Sequence, residues 1–155
     1  MELTHDQTTA YDKAAYLCSR SEKCTSEIQE KLKIWGVSAD DIDPVIRKLI
    51  DEKYLDDERF ARAYAKDKFR FNHWGKQKIA FMLRSKNISS EIMELAFEEI
   101  VEDDYSDELL KLISDKAESI KSKDKYDKRN KLMRFAMGRG FESGKISAAL
   151  KELGI

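Results

Sequence analysis

Residues 75–88 read Gly75-Lys-Gln-Lys-Ile79-Ala-Phe81-Met-Leu83-Arg-Ser-Lys86-Asn87-Ile88. Ile79 and Leu83 stand one helical turn apart on one face. Asn87 follows where a helix ends on a residue tolerant of left-handed backbone, and Ile88 resumes apolar contact at once. The same grammar recurs about Gly36 and Gly140. Eight residues before these three reference points stand Ile28, Ile79 and Leu132; four before are Leu32, Leu83 and Ala136; one after are Val37, Ile88 and Phe141. Six after come Ile42, Met93 and Ile146; nine after, Val45, Ala96 and Ala149; ten after, Ile46, Phe97 and Leu150; thirteen after, Leu49, Ile100 and Leu153. All twenty-one are apolar, where a hydrophobic content of 41% would supply fewer than half. Chance pairs of amphipathic helices share some of this register, but not the turn residue as well. The pattern predicts three copies of a helix–tight turn–helix unit.

Further helical stretches precede each copy, at residues 9–21, 56–72 and 104–123, giving three helices per unit and nine in all. The expected organisation is a frayed end at 1–8 followed by three-helix repeats at 9–54, 55–102 and 103–155. Units of this size are marginal alone, so neighbours should pack on one another. Ser119 to Lys125, rich in Ser, Lys and Asp, reads as the flexible joint.

Composition agrees with an all-α array. One proline and six glycines in 155 residues leave few helix breakers, and the charged fraction of 38% is balanced to a net −1, unlike that of most disordered chains. No apolar run reaches the roughly 18 residues of a membrane helix, and nothing near the N-terminus reads as a signal peptide, so a cytoplasmic protein is expected. Cys18 and Cys24, six apart, match no zinc spacing and are read as reduced thiols. No nucleophile–base pair, phosphate loop or metal cluster is visible, and His5 and His73 stand alone. The expectation is a binding protein with no catalytic residue, cofactor or metal.

The strongest boundary is Tyr54-Leu55-Asp56-Asp57-Glu58-Arg59-Phe60-Ala61. Asp56 suits a helix N-cap, and Asp57 and Glu58 place negative charge at the positive end of the helix dipole. Leu55 and Phe60 have the spacing of a hydrophobic staple. A metal or acid–base role for these carboxylates lacks any partner residue. Pro44 suits the first turn of a helix capped by Asp43, with Ser38–Asp41 as a separate turn.

Three features together resemble the RecX family, bacterial regulatory proteins that modulate the RecA recombinase. They are Thr25-x-x-Ile28-x-x-x-Leu32-x-x-x-Gly36-Val37, then Tyr54-Leu55-Asp56-Asp57-x-x-Phe60-Ala61, then Gly75-x-x-x-Ile79-x-x-x-Leu83-x-x-x-Asn87-Ile88. Asn87 stands where the family usually has glycine. The similarity spans roughly residues 10–153 and is strongest over 16–100. It implies a curved, monomeric array that binds RecA–DNA filaments and inhibits strand exchange and coprotease activity. Single- or double-stranded DNA is the further candidate partner.

Charge is segregated along the chain. Arg62, Lys66, Lys68, Arg70, Lys76, Lys78, Arg84 and Lys86 face one acid, Asp67, for a net +7; Lys121 to Lys151 is again +7, with Lys128, Arg129, Lys131 and Arg134 at its centre. Glu91 to Glu118 carries −9. These blocks are either solvated helix faces or surfaces for phosphate and charged protein. Phe81, flanked by Lys78 and Arg84, lies off the apolar face of Ile79, Met82 and Leu83. Packing on the next unit is expected for it ahead of service as a partner anchor, and Phe69 poses the same question. Trp35 and Trp74 are expected in the core rather than as stacking platforms. Two alternatives to a recombinase regulator are a helical nucleic-acid binder acting alone, which the net charge disfavours, and a general interaction scaffold.

Overall fold

The computed structural model describes residues 2–155, and among them it contains nine helices and no strand. They run α1 His5–Arg20, α2 Thr25–Ile34, α3 Ala39–Asp51, α4 Asp57–Asn72, α5 Lys76–Ser85, α6 Ser90–Phe97, α7 Glu102–Ser119, α8 Lys125–Gly138 and α9 Ser143–Glu152. Each consecutive three form a unit in which the first and third helices pack on each other: α1 on α3, α4 on α6 and α7 on α9.

The three reference residues all adopt left-handed backbone, with φ of 81° at Gly36, 61° at Asn87 and 95° at Gly140. Each turn closes identically. The amide of the following residue reaches the carbonyl five residues back: Val37 to Leu32 at 3.0 Å, Ile88 to Leu83 at 3.1 Å and Phe141 to Ala136 at 3.2 Å. This bond satisfies a carbonyl that the helix end would leave unpaired. Of the twenty-one apolar positions, eighteen are buried, Val37 and Phe97 are half-buried, and only Leu153 is exposed.

Asp56 caps α4 by accepting the Arg59 amide at 3.0 Å. Leu55 and Phe60 are both buried, but in separate apolar clusters, so they do not form the expected staple. Leu55 closes the core of the first unit, and Phe60 opens the next. The first unit has its own core, built on Ala14, Ile28, Leu32, Val45 and Leu49. The second and third units share one continuous core running from Phe60 to Leu150, which Cys24 of the first unit also joins.

Other local expectations change. Helix α1 begins at His5, four residues earlier than the pattern suggests, because Thr4 and Gln7 form a reciprocal capping box; His5 is therefore part of a helix. Helix α3 begins at Ala39 after Ser38, so no separate turn precedes Pro44, which lies in the second turn of the helix. The carbonyl its missing N–H would have engaged belongs to Asp40, an exposed residue at the helix start, so a helix tolerates the proline there. Helix α7 spans 102–119 rather than 104–123, and the segment after it is tied down. The Lys123 amide donates to Asp127 at 3.0 Å, and the Lys131 ammonium donates to the Lys121 carbonyl at 2.6 Å. Cys18 and Cys24 are free thiols.

Candidate partner interface

The first basic block separates into locked and available cations. Arg62 lies among three carboxylates, Glu58 at 2.9 Å, Glu98 at 3.1 Å and Glu99 at 3.2 Å; its bonds to Glu58 and then Glu98 hold the guanidinium above its usual pKa. Lys86 pairs with Glu27 at 3.1 Å. Lys76 lies 3.7 Å from Glu102, which also binds Lys145. These three cations hold helices and units together. Lys66, Arg70 and Arg84 are exposed and have no ion-pair partner among the described residues. Their spacing puts Lys66 and Arg70 on one face of α4.

Lys68 and Lys78 share a different environment. Their ammonium groups lie 5.0 and 4.6 Å from the Trp74 ring centroid, and neither meets a carboxylate among the described residues. Trp74 is half-buried, not a full core residue, and it presents two oriented cations. Trp35 is likewise half-buried, with Lys13 4.3 Å from its ring.

Phe81 is 64% exposed, contrary to the expectation that it packs on a neighbouring unit. It lies off the buried positions of α5, which are Ile79 and Leu83. Phe69 is core, its ring 5.7 Å from Tyr105. The sequence reading overlooked Phe71, 71% exposed beside Arg70. The signal was present: Phe60, Ala61, Ala65 and Phe69 mark the buried stripe of α4, and position 71 falls off it.

In the second block, Lys131 pairs with Asp127 at 3.3 Å and Arg129 donates to the Ile155 carbonyl at 3.2 Å. Lys128 and Arg134 have no ion-pair partner among the described residues. The acidic stretch is partly engaged as well, through Glu98, Glu99, Glu102 and Glu108. His73 is not isolated; it ends α4 in left-handed backbone and meets Glu108 on α7.

A residue outside every expected site organises the second and third units. Tyr105 is fully buried between Phe69 and Phe141, accepts the Lys76 amide at 2.9 Å and donates to Glu142. Burial, and then the Glu142 bond, push its phenol far above the ordinary range. It stays a neutral structural donor. No group of three His, Cys, Asp or Glu among the described residues is placed to hold a metal ion.

Family models for the first, second and third three-helix domains of RecX match residues 10–49, 56–96 and 102–150, in that order. The chain belongs to the RecX family. The regulatory protein RecX of Vibrio campbellii is 31% identical over 138 residues, which cover 88% of this chain and 86% of that protein. RecX of Clostridium perfringens is 30% identical over 136 residues, covering 86% of this chain and 63% of that protein. The chain thus spans less than two thirds of the clostridial relative's length. The crystal structure of RecX from Lactobacillus salivarius matches with a TM-score of 0.87 at 23% identity, covering 96% of this chain and 97% of that one. Its likeness establishes the shared RecX fold.

Proposed function

We propose that this chain binds RecA–DNA filaments and inhibits recombinase and coprotease activity, acting as a monomeric cytoplasmic regulator without chemistry of its own. The observation that carries the reading is the ordered match of all three RecX domains along the chain. The surface supports it. Among the described residues Lys66, Arg70 and Arg84 have no ion-pair partner, and Lys68 and Lys78 lie over Trp74, so phosphate or acidic protein patches would meet cations with no salt bridge to break. Phe81 and Phe71 add exposed aromatic area beside those cations. Among the described residues no helix is long and apolar enough to cross a membrane.

The test is RecA-driven ATP hydrolysis and strand exchange, run beside gel shifts with single- and double-stranded DNA. Wild type should inhibit, with an effect that weakens as salt rises, because exposed charges are screened over about 8 Å at physiological ionic strength. The triple variant K66E/R70E/R84E should lose inhibition while melting like wild type. A wild-type protein without effect on a cognate recombinase refutes the reading. Tight DNA binding without recombinase would favour the stand-alone nucleic-acid binder instead.

A further inference from the structure

The two joints between units are held by different forces. At the second joint the units share one core, with Tyr105 of the third unit lying between Phe69 and Phe141. Backbone also bonds to backbone there: the Gly75 amide donates to the Arg139 carbonyl at 2.7 Å and the Gln77 amide to the Gly140 carbonyl at 3.0 Å. The ion pairs of His73 with Glu108 and Lys76 with Glu102 are added to that core. At the first joint the cores are separate, and among the described residues Cys24 is the one first-unit residue buried with the second unit. No backbone–backbone hydrogen bond crosses this joint among the described residues. Three of its contacts use a carboxylate instead. The Thr25 amide donates to Asp57 at 2.8 Å, the Lys86 ammonium meets Glu27 at 3.1 Å, and the Arg59 guanidinium bonds both oxygens of Glu22 at 2.9 and 3.0 Å. The uncharged contact is the Ser26 hydroxyl, which donates to the Lys86 carbonyl at 2.6 Å.

Water reaches the first joint from two sides. A groove of about 490 Å³ runs between Ser26, Lys31 and Lys86, and another of about 350 Å³ between Thr25, Lys53 and Asp57. Ion pairs so exposed are individually weak and are screened by salt. The chain itself crosses at one point. Leu55 is buried in the core of the first unit, while Asp56 caps α4 of the second. Rotation about the backbone joining these two residues therefore disturbs neither core.

We propose that the first joint is a hinge: the first unit swings as a body about the Leu55–Asp56 link, latched by the pairs Glu22–Arg59 and Glu27–Lys86, while the second and third units move together. Seating of Cys24 in the core of the second unit defines the closed state, and its withdrawal the open one. In the closed state the thiol is fully buried, and burial pushes its pKa up, so it is shielded from reagents and poor in thiolate. Opening reverses both conditions. Ionic strength sets the balance, since it weakens the latch and leaves the shared core of the other two units untouched. The inference rests on the contrast between the joints and not on the recombinase reading.

Alkylation of the full chain by N-ethylmaleimide, with the modified cysteine assigned by peptide mass spectrometry, reads the opening. Cys24 should react at a rate that barely changes in dilute urea, because swinging a unit exposes little surface, whereas global unfolding depends steeply on urea. Raising the ionic strength from about 0.1 to about 1 M shortens the screening length from about 10 to about 3 Å and should speed the reaction about fivefold. The E22Q/E27Q variant keeps the side-chain shapes and removes both charges; it should react about tenfold faster than wild type at low salt and respond little to added salt. Exchange of the Thr25 amide should quicken in step, while that of the Gln77 amide at the second joint should not. If the double variant melts early, the salt and urea responses of the wild-type chain decide the question alone. Cys24 alkylation that tracks global unfolding, or that ignores salt, would overturn the proposal. So would a Gln77 amide that responds as Thr25 does, since both joints would then open alike.

Discussion

Replacing Gly75 with alanine probes the joint between the second and third units with a single carbon atom. The added Cβ would lie 2.4 Å from the carbonyl carbon and oxygen of Gly140 and 2.5 Å from the Phe141 nitrogen. All three are backbone atoms, so the strain is not relieved by turning a side chain. Opening the joint weakens the bonds from Gly75 to Arg139 and from Gln77 to Gly140, at about 1 kcal/mol each. Displacing well-packed backbone adds about 1–3 kcal/mol. Gly75 has φ −80° and ψ 169°, open to any residue, so alanine recovers about 0.4–1 kcal/mol by restricting the unfolded chain. The expected net loss is about 2–4 kcal/mol, or roughly 4–16 °C in Tm for a chain of this size. Urea titration and thermal melting measure it. Hydrogen exchange should show the loss in the shared core of the second and third units, with the core of the first unit protected as before. G138A is the control: its Cβ meets nothing within 4 Å, and it should stabilise by about 0.5–1 kcal/mol. A G75A protein that melts with wild type refutes the account of the joint.

Phe60→Ala should cost about 3–5 kcal/mol through the cavity it leaves, and Asp56→Ala about 1 kcal/mol through the lost cap, both read from denaturant midpoints. Phe81→Ala should stay within about 0.5 kcal/mol of wild type, as expected for an exposed ring; a clear fall in Tm would return Phe81 to the core. Burial works against the Glu27 carboxylate, but the Cys24 amide and the Lys86 ammonium outweigh it and hold its pKa below the ordinary 4.5. The stability this gives is complete above that value and is lost as pH falls through the depressed one. Amides of the first joint should exchange faster in that acid range, and E27Q should flatten the dependence; an E27Q protein with the wild-type acid profile would remove Glu27 from the joint.

The three left-handed turns were legible because their requirement is local: a helix that stops on Gly or Asn with an apolar residue next can close in one way. The core register was legible for the same reason, since a fixed helical period converts spacing into burial; only Leu153, beyond the last packed turn, escapes it. Local rules also placed the Asp56 cap. They failed at Pro44, where the surrounding packing of Ile42, Val45, Ile46 and Leu49 carries a helix past a missing donor that exposed backbone tolerates. They could not sort the cations. Arg62, Lys86 and Lys66 look alike in sequence, yet the first two meet carboxylates 36 and 59 residues away, and no periodicity encodes such distances. The sequence by itself determined three helical units and their turns, because those depend on neighbours within a few turns of chain. Only the tertiary structure decided which surface is open: how Cys24 and Gly75 seat on the following units, and why Tyr105 is buried between Phe69 and Phe141, since each depends on residues brought together from different units.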